Sequence, residues 1–219
     1  MNLNTEIQQL LASFNVPEDV AVKIATANDD LTREGIAPGV PVGAPAPDFA
    51  LSDSRGKEIR LSAQLKRGPV VLSFFRGAWC PVCNLQLAAF HRALPTIKRL
   101  GGTVVAIHPD AEQLLEDPPD GFFILSDPKQ AVIRSYNLQY VVSPEIQKLY
   151  PGIFGVDVST RNANGSWSLP VPGTFIVGKD GIVRRQHVRA DFALRMEPAD
   201  VIEALEALQH DQVSPSSQS

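Results

Sequence analysis

The run Cys80–Pro81–Val82–Cys83 constrains this chain more than any other feature, because the remaining residues hold no further cysteine. In front of it stands "PVVLSFF" (69–75), β-branched and aromatic without a charge, the pattern of a buried strand. Behind it, Leu85, Ala88, Ala89 and Leu94 mark the apolar side of a helix. That helix reaches Leu100, is expected to kink at Pro95, and ends at Gly101-Gly102. A strand, a turn and a helix therefore meet at the cysteines. Pro81 suits the first helical turn, where its missing N–H has no partner to lose.

This placement has chemical consequences. A sulfur at a helix start faces outward-pointing N–H groups and the positive end of the dipole. Cys80 is therefore expected to be exposed and more acidic than a free thiol, whose pKa is about 8.5. Cys83 lies one turn on, within reach for a disulfide. An attacking thiolate and a neighbour that resolves the mixed disulfide suffice for thiol–disulfide exchange. Two plainer readings compete. The pair is half of a zinc site, although no second CxxC exists and His91, His108, His187 and His210 form no HxxxH pair. Or the cysteines are inert core residues.

Composition narrows the class. Hydrophobic residues make up 44% of the 219, enough for a sizeable core, and the net charge of −4 offers no basic field for nucleic acid. No apolar run approaches the ~20 residues of a membrane span, and the N-terminal residues lack the pattern of a signal peptide. The expectation is a cytoplasmic protein with neither nucleic-acid nor membrane partners, in which a lone CxxC is redox-active or metal-binding before it is structural.

Along the chain, Ile7, Leu10, Leu11 and Phe14 form an amphipathic stripe, and Pro17 opens a second helix that Gly35 stops. "APGVPVGAPAPD" (37–48) reads as a linker or extended lead-in. "TVVAIH" (103–108) and "FFIL" (122–125) are strands. Asp127 is placed to cap a helix with Pro128 first and Gln130 three past the cap. A loop over about 143–170 leads to "TFIV", "GKDG" and "IVRRQHV", a hairpin. "PADVIEALEALQH" closes as a helix. The expected architecture is α/β: a mixed central sheet flanked by helices. Its divisions are a helical N-terminal extension (1–40), a main domain (41–210) and a disordered polar tail (211–219).

"PAPDFAL", "FFRGAWCPVCN" and "PGTFIVGKDGIV" together resemble the alkyl hydroperoxide reductase/thiol-specific antioxidant family on a thioredoxin-like fold. The resemblance covers about 45–210. It is nearest to the peroxiredoxin-like subgroup with a CxxC, through the helical lead-in, "SWSLPVPGTF" and the "HVxxDFxxRxEP" pattern over 187–198. The departures are specific. Aligned on Cys83, Arg76 stands at the family's proline position and Cys80 at its threonine position. Pro172 stands where an arginine completes the peroxide site. Donors aimed at the developing negative oxygen are usually a large catalytic term, so those losses matter; Arg76 or Arg195 are the substitutes at hand. The replacements resemble thioredoxin, which implies Cys80 as nucleophile, Cys83 as resolving thiol, and a cis peptide bond before Pro172 that positions a substrate backbone.

Other residues carry paired readings. Trp79 docks partners or packs at a strand end. Arg76 charges the thiolate's surroundings or is solvated. Trp167 covers the site or packs in the core. Arg195 neutralises an anion near the pair or forms a surface salt bridge. His187 is structural or a proton shuttle; Asp48 is a cap or turn residue.

Three functions follow. One is dithiol–disulfide exchange with protein or small-molecule disulfides. The second is peroxide reduction with Cys83 peroxidatic and Cys80 resolving. The third is a redox-sensing binding module, with the first 40 residues as a docking or homodimerising element. The enzymatic readings need no organic cofactor or metal, because both electrons reside in the sulfurs. A thioredoxin-like protein or a low-molecular-weight thiol supplies them.

Overall fold

The structure is a computed structural model that describes residues 2–110 and 118–213. Two helices come first, α1 (Leu3–Ser13) and α2 (Glu18–Arg33). A short hairpin, β1 (Ala50–Ser52) and β2 (Glu58–Arg60), leads to α3 (Leu61–Leu65) and β3 (Val70–Phe74). Then come α4 (Pro81–Arg99), β4 (Thr103–His108), β5 (Phe122–Ser126), α5 (Ala131–Ser135) and β6 (Gln139–Val141). Three short helices follow: α6 (Pro144–Gln147), α7 (Tyr150–Phe154) and α8 (Val158–Arg161). Last are β7 (Ser168–Pro170), β8 (Gly173–Val177), β9 (Val183–Val188) and α9 (Pro198–Val213).

Five strands form the central sheet in the order β5-β4-β3-β8-β9. β3, β4 and β5 pair in parallel, whereas β8 and β9 are antiparallel additions beside β3. Both faces are covered, which is why β3 has no polar alternation. Val71 and Phe75 face a cluster with α1, α4 and α9; Val70, Leu72 and Phe74 face a second cluster with Leu61, Leu125, Tyr136 and Phe175. Alternate side chains of one strand thus feed two cores. Leu3 and Ile7 of α1 lie in the same cluster as Cys80 and Cys83.

Three expectations change. The helix after "FFIL" starts at Ala131, because Gln130 adopts a left-handed conformation (φ 52°). Asp127 still caps it, its carboxylate accepting from the N–H groups of Ala131 and Ile133 at 3.0 and 2.9 Å. Second, the expected loop over 143–170 carries α6, α7, α8 and β7, with an apolar cluster of its own around Val142, Tyr150, Val158 and Leu169. Its helices are four or five residues long, too short for a visible apolar period. Third, α9 runs through Val213, so the expected tail is helical at its start; residues 214–219 lie outside the described ones. Pro95 sits on the exposed side of α4 without ending it.

Candidate active site

β3 ends at Phe74, the chain turns through Arg76–Trp79, and α4 begins at Pro81 with Cys80 as its N-cap. The turn needs Gly77, whose φ is +140°; a Cβ there would come within 2.5 Å of Trp79 Nε1 and 2.7 Å of Asp110 Oδ2. Asp110 Oδ2 accepts from the Ala78 N–H at 3.2 Å, and Asn84 Nδ2 donates back to the Ala78 carbonyl at 2.9 Å. These bonds tie the turn at Ala78 to Asp110 and to α4. Both cysteines are free, and Cys80 Sγ lies 2.7 Å from Cys83 Sγ.

The expected exposure of Cys80 is not found: it is 1% accessible and Cys83 0%. As N-cap, Cys80 takes no hydrogen bond from the first helical turn through its side chain. Burial raises its pKa well above the ordinary value, and the hydrogen bond to Cys83 and the negative charge there add to this. Burial also opposes a charge on Cys83. There, however, the Cys80 hydrogen bond, the Arg195 cation, the Arg76 backbone N–H and the Arg76 guanidinium prevail and bring the pKa down to about 5. Both shifts favour a negative charge on Cys83 over one on Cys80.

Arg195 is no surface residue. It is 3% exposed, and its Nη2 stands 3.5 Å from Cys83 Sγ. Its Nη1 donates to Gln86 Oε1 at 2.9 Å, and Gln86 Nε2 donates to Thr174 Oγ1 at 3.1 Å, tying the guanidinium to α4 and β8. Asn4 of α1 binds the Arg195 backbone in both directions, accepting its N–H and donating to its carbonyl, each at 3.0 Å. Glu197 accepts the N–H groups of Leu3 and Asn4 at 2.8 Å each, capping α1 from the same segment.

Arg76 is likewise buried, at 2% exposure, rather than solvated. It sits among aromatic rings, with its guanidinium carbon 4.7 Å from the Phe192 centroid, 5.2 Å from Trp79, 5.3 Å from Tyr150 and 5.4 Å from Phe154. Its Nη2 donates to the Tyr150 hydroxyl. Trp79 and Trp167 both pack against Tyr150, at ring distances of 5.9 and 5.7 Å, and Trp79 also lies against the arginine.

Pro172 is buried between β7 and β8, but the peptide bond before it is trans. The Val171 N–H donates to the Leu138 carbonyl at 2.8 Å. The thioredoxin-type cis bond expected there is absent. His187 is the cross-strand partner of Thr174 and half-buried. Asp48 is the cap of α3, accepting from Ser62 N and Oγ at 2.9 Å each. Among the described residues no cluster of three His, Cys, Asp or Glu side chains is arranged to hold a metal.

Sequence reasoning passed over Gln86, Asn4 and Glu197. Gln86 had a local signal, a polar residue one turn beyond Cys83 on an otherwise apolar helix side. Asn4 had none, since its partner lies 191 residues away.

Cys83, in the first turn of α4, faces an arginine from the segment before α9. A model of the AhpC/TSA family matches residues 42–186. The chain belongs to the AhpC/TSA family. Within it, thiol-disulfide oxidoreductase ResA of Geobacillus kaustophilus is 27% identical over 151 residues, covering 67% of this chain and 68% of that protein. Chloroplastic peroxiredoxin Q of Sedum lineare is 25% identical over 154 residues, covering 70% and 72%. The crystal structure of peroxidoxin BcpB from Mycobacterium tuberculosis superposes with a TM-score of 0.54 at 20% identity, over 77% of this chain and 96% of that one. The fold is thioredoxin-like, and this AhpC/TSA chain is a thiol-based oxidoreductase. No helix among the described residues is long and apolar enough to cross a membrane.

Proposed function

We propose that the protein reduces small hydroperoxides through a Cys83/Cys80 dithiol cycle. The observation that carries this reading is the surroundings of Cys83 Sγ, where the Arg195 guanidinium, the Arg76 N–H and the Cys80 thiol converge. The Cys83 thiolate attacks the distal peroxide oxygen. The O–O bond breaks, the alkoxide leaves and takes up a proton, and Cys83 becomes a sulfenic acid. Cys80 then attacks that sulfur, forming the disulfide and releasing water. Two electrons from a thioredoxin-like protein or a small thiol restore the pair. Arg195 takes the part of a cation facing the transition-state charge. Burial of both sulfurs favours a small oxidant over a bulky one. We place the cycle in the cytoplasm, where a lone cysteine pair serves redox exchange better than structure.

Stopped-flow reaction with hydrogen peroxide tests this reading. Fast consumption lost in Cys83→Ser and kept for a single turnover in Cys80→Ser is the expected result, with the sulfenic acid in the latter trapped by dimedone. Equal consumption by Cys83→Ser sinks it.

The similarity to ResA supports a second reading, exchange with disulfides. An insulin-type reduction assay distinguishes the two. Rapid insulin turnover with slow peroxide consumption favours exchange.

A further inference from the structure

The peptide unit that joins Leu194 to Arg195 is held at both of its polar ends. Its N–H, on Arg195, donates to Asn4 Oδ1 at 3.0 Å. Its carbonyl, on Leu194, accepts from the His187 imidazole. A peptide unit is planar, so fixing its oxygen and its hydrogen fixes the roll of the plane. The direction in which the Arg195 side chain leaves the backbone is then fixed as well.

His187 reaches that carbonyl from the sheet. On β9 it pairs with Thr174 of β8, which pairs in turn with Ser73 of β3. Residues directly opposite one another share a face, so the three form one row across the sheet. Thr174 shows which face: its Oγ1 accepts from Gln86 Nε2 of α4 at 3.1 Å, and Gln86 Oε1 accepts from Arg195 Nη1 at 2.9 Å. The row thus meets Arg195 twice, at the backbone through His187 and at the guanidinium through Gln86. The surroundings of His187 also keep its ring neutral. Burial lowers its pKa below the ordinary histidine value, and the Arg189 and Arg195 cations act in the same direction. The Leu194 carbonyl and Asp200 oppose them, and Asp200 is itself paired with Arg185 at 3.2 Å. A neutral imidazole has a single N–H. The buried Nε2 has no hydrogen-bond partner among the described residues, so the contact with Leu194 is the one the ring makes to that turn.

We propose that His187 is a positioning residue for Arg195: by holding the Leu194 carbonyl it aims the guanidinium at Cys83, and its influence on that sulfur passes through Arg195. This role rests on Cys83 as the reactive sulfur of the proposed cycle, but not on which oxidant that sulfur meets.

The pH dependence of iodoacetamide alkylation at Cys83, followed by fragment-ion mass spectrometry on the reduced full-length chain, tests this apart from any turnover assay. His187→Leu is expected to raise the Cys83 midpoint by about half a pH unit, less than loss of the neighbouring charge itself, because a loosened cation still visits the sulfur. In an Arg195→Gln background the same change is expected to leave the midpoint where it is, since two residues that act through one another are not additive. His187→Asn and His187→Gln each offer an amide donor near one ring nitrogen, and the one that reaches Leu194 is expected to restore the midpoint. A further measurement needs no variant: ring nitrogen spectra at neutral pH are expected to show a neutral His187 whose single proton exchanges slowly. An unmoved midpoint in His187→Leu, an equal shift in the Arg195→Gln background, a shift that neither amide variant reverses, or a charged His187 ring each overturns the assignment.

Discussion

Arg195 Nη2 stands 3.5 Å from Cys83 Sγ, although 112 residues separate them. The guanidinium is fixed on every side: Nη1 by Gln86, Nε by the Phe192 carbonyl at 2.8 Å, and the backbone by Asn4. The cation cannot swing into water, so its field is delivered to one sulfur. The second thiol, one helical turn back, receives little of it.

Arg195→Gln is therefore expected to raise the Cys83 titration midpoint from about 5 by about one pH unit, the lower end for loss of a neighbouring opposite charge. The pH dependence of iodoacetamide alkylation measures it. Peroxide consumption is expected to fall at least about tenfold, because the same cation faces the charge that develops on the leaving oxygen.

The depressed Cys83 pKa also sets a pH dependence of stability. Between about 5 and the ordinary thiol value the unfolded chain carries a proton on this sulfur that the folded chain does not. Stability from this group is present above that range and is lost as pH falls through about 5. Urea midpoints of the reduced protein are expected to rise with pH across the window, at up to about 1.4 kcal/mol per pH unit. Cys83→Ser lacks that rise. A rise of equal slope in Cys83→Ser removes the cause from this sulfur.

Asn4→Ala is expected to destabilise the protein by about 1–3 kcal/mol, because it leaves the Arg195 N–H and carbonyl unpaired at a partly buried site. It is also expected to slow Cys83 chemistry, since the loosened Arg195 is the cation beside that sulfur. Denaturant titration and single-turnover kinetics read the two effects. An intact rate with lowered stability confines Asn4 to holding α1.

Gly77→Ala is expected to cost about 1–3 kcal/mol, from a strained backbone at φ +140° and a Cβ driven into Trp79 and Asp110. The thermal midpoint and Trp79 fluorescence report it. Displacing Asp110 frees the Ala78 N–H, so the spacing of the sulfurs and the rate of disulfide closure are expected to suffer together.

Much of the scaffold was legible in the residues. The charge-free run before Arg76, the stripe behind Cys83 and the turn between "TFIV" and "IVRRQHV" each appear as β3, α4 and the β8–β9 hairpin. Their periodicity is local and long enough to count. The segments α6, α7 and α8 were not legible, being shorter than two helical turns and held by an aromatic cluster rather than by propensity.

The chemistry divides in the same way. The amino-acid order alone determined that two thiols share one helical start, one turn apart, and hence that they can close a ring. Which thiol is anionic was decided only in three dimensions. A helix start favours the first sulfur, but burial cancels that preference. The influences that favour charge on Cys83 are the Cys80 hydrogen bond, the Arg195 cation held by Asn4 and Gln86, and the backbone N–H of Arg76. Electrostatics in a dry interior depend on distances of a few ångströms, and no spacing along a chain specifies those.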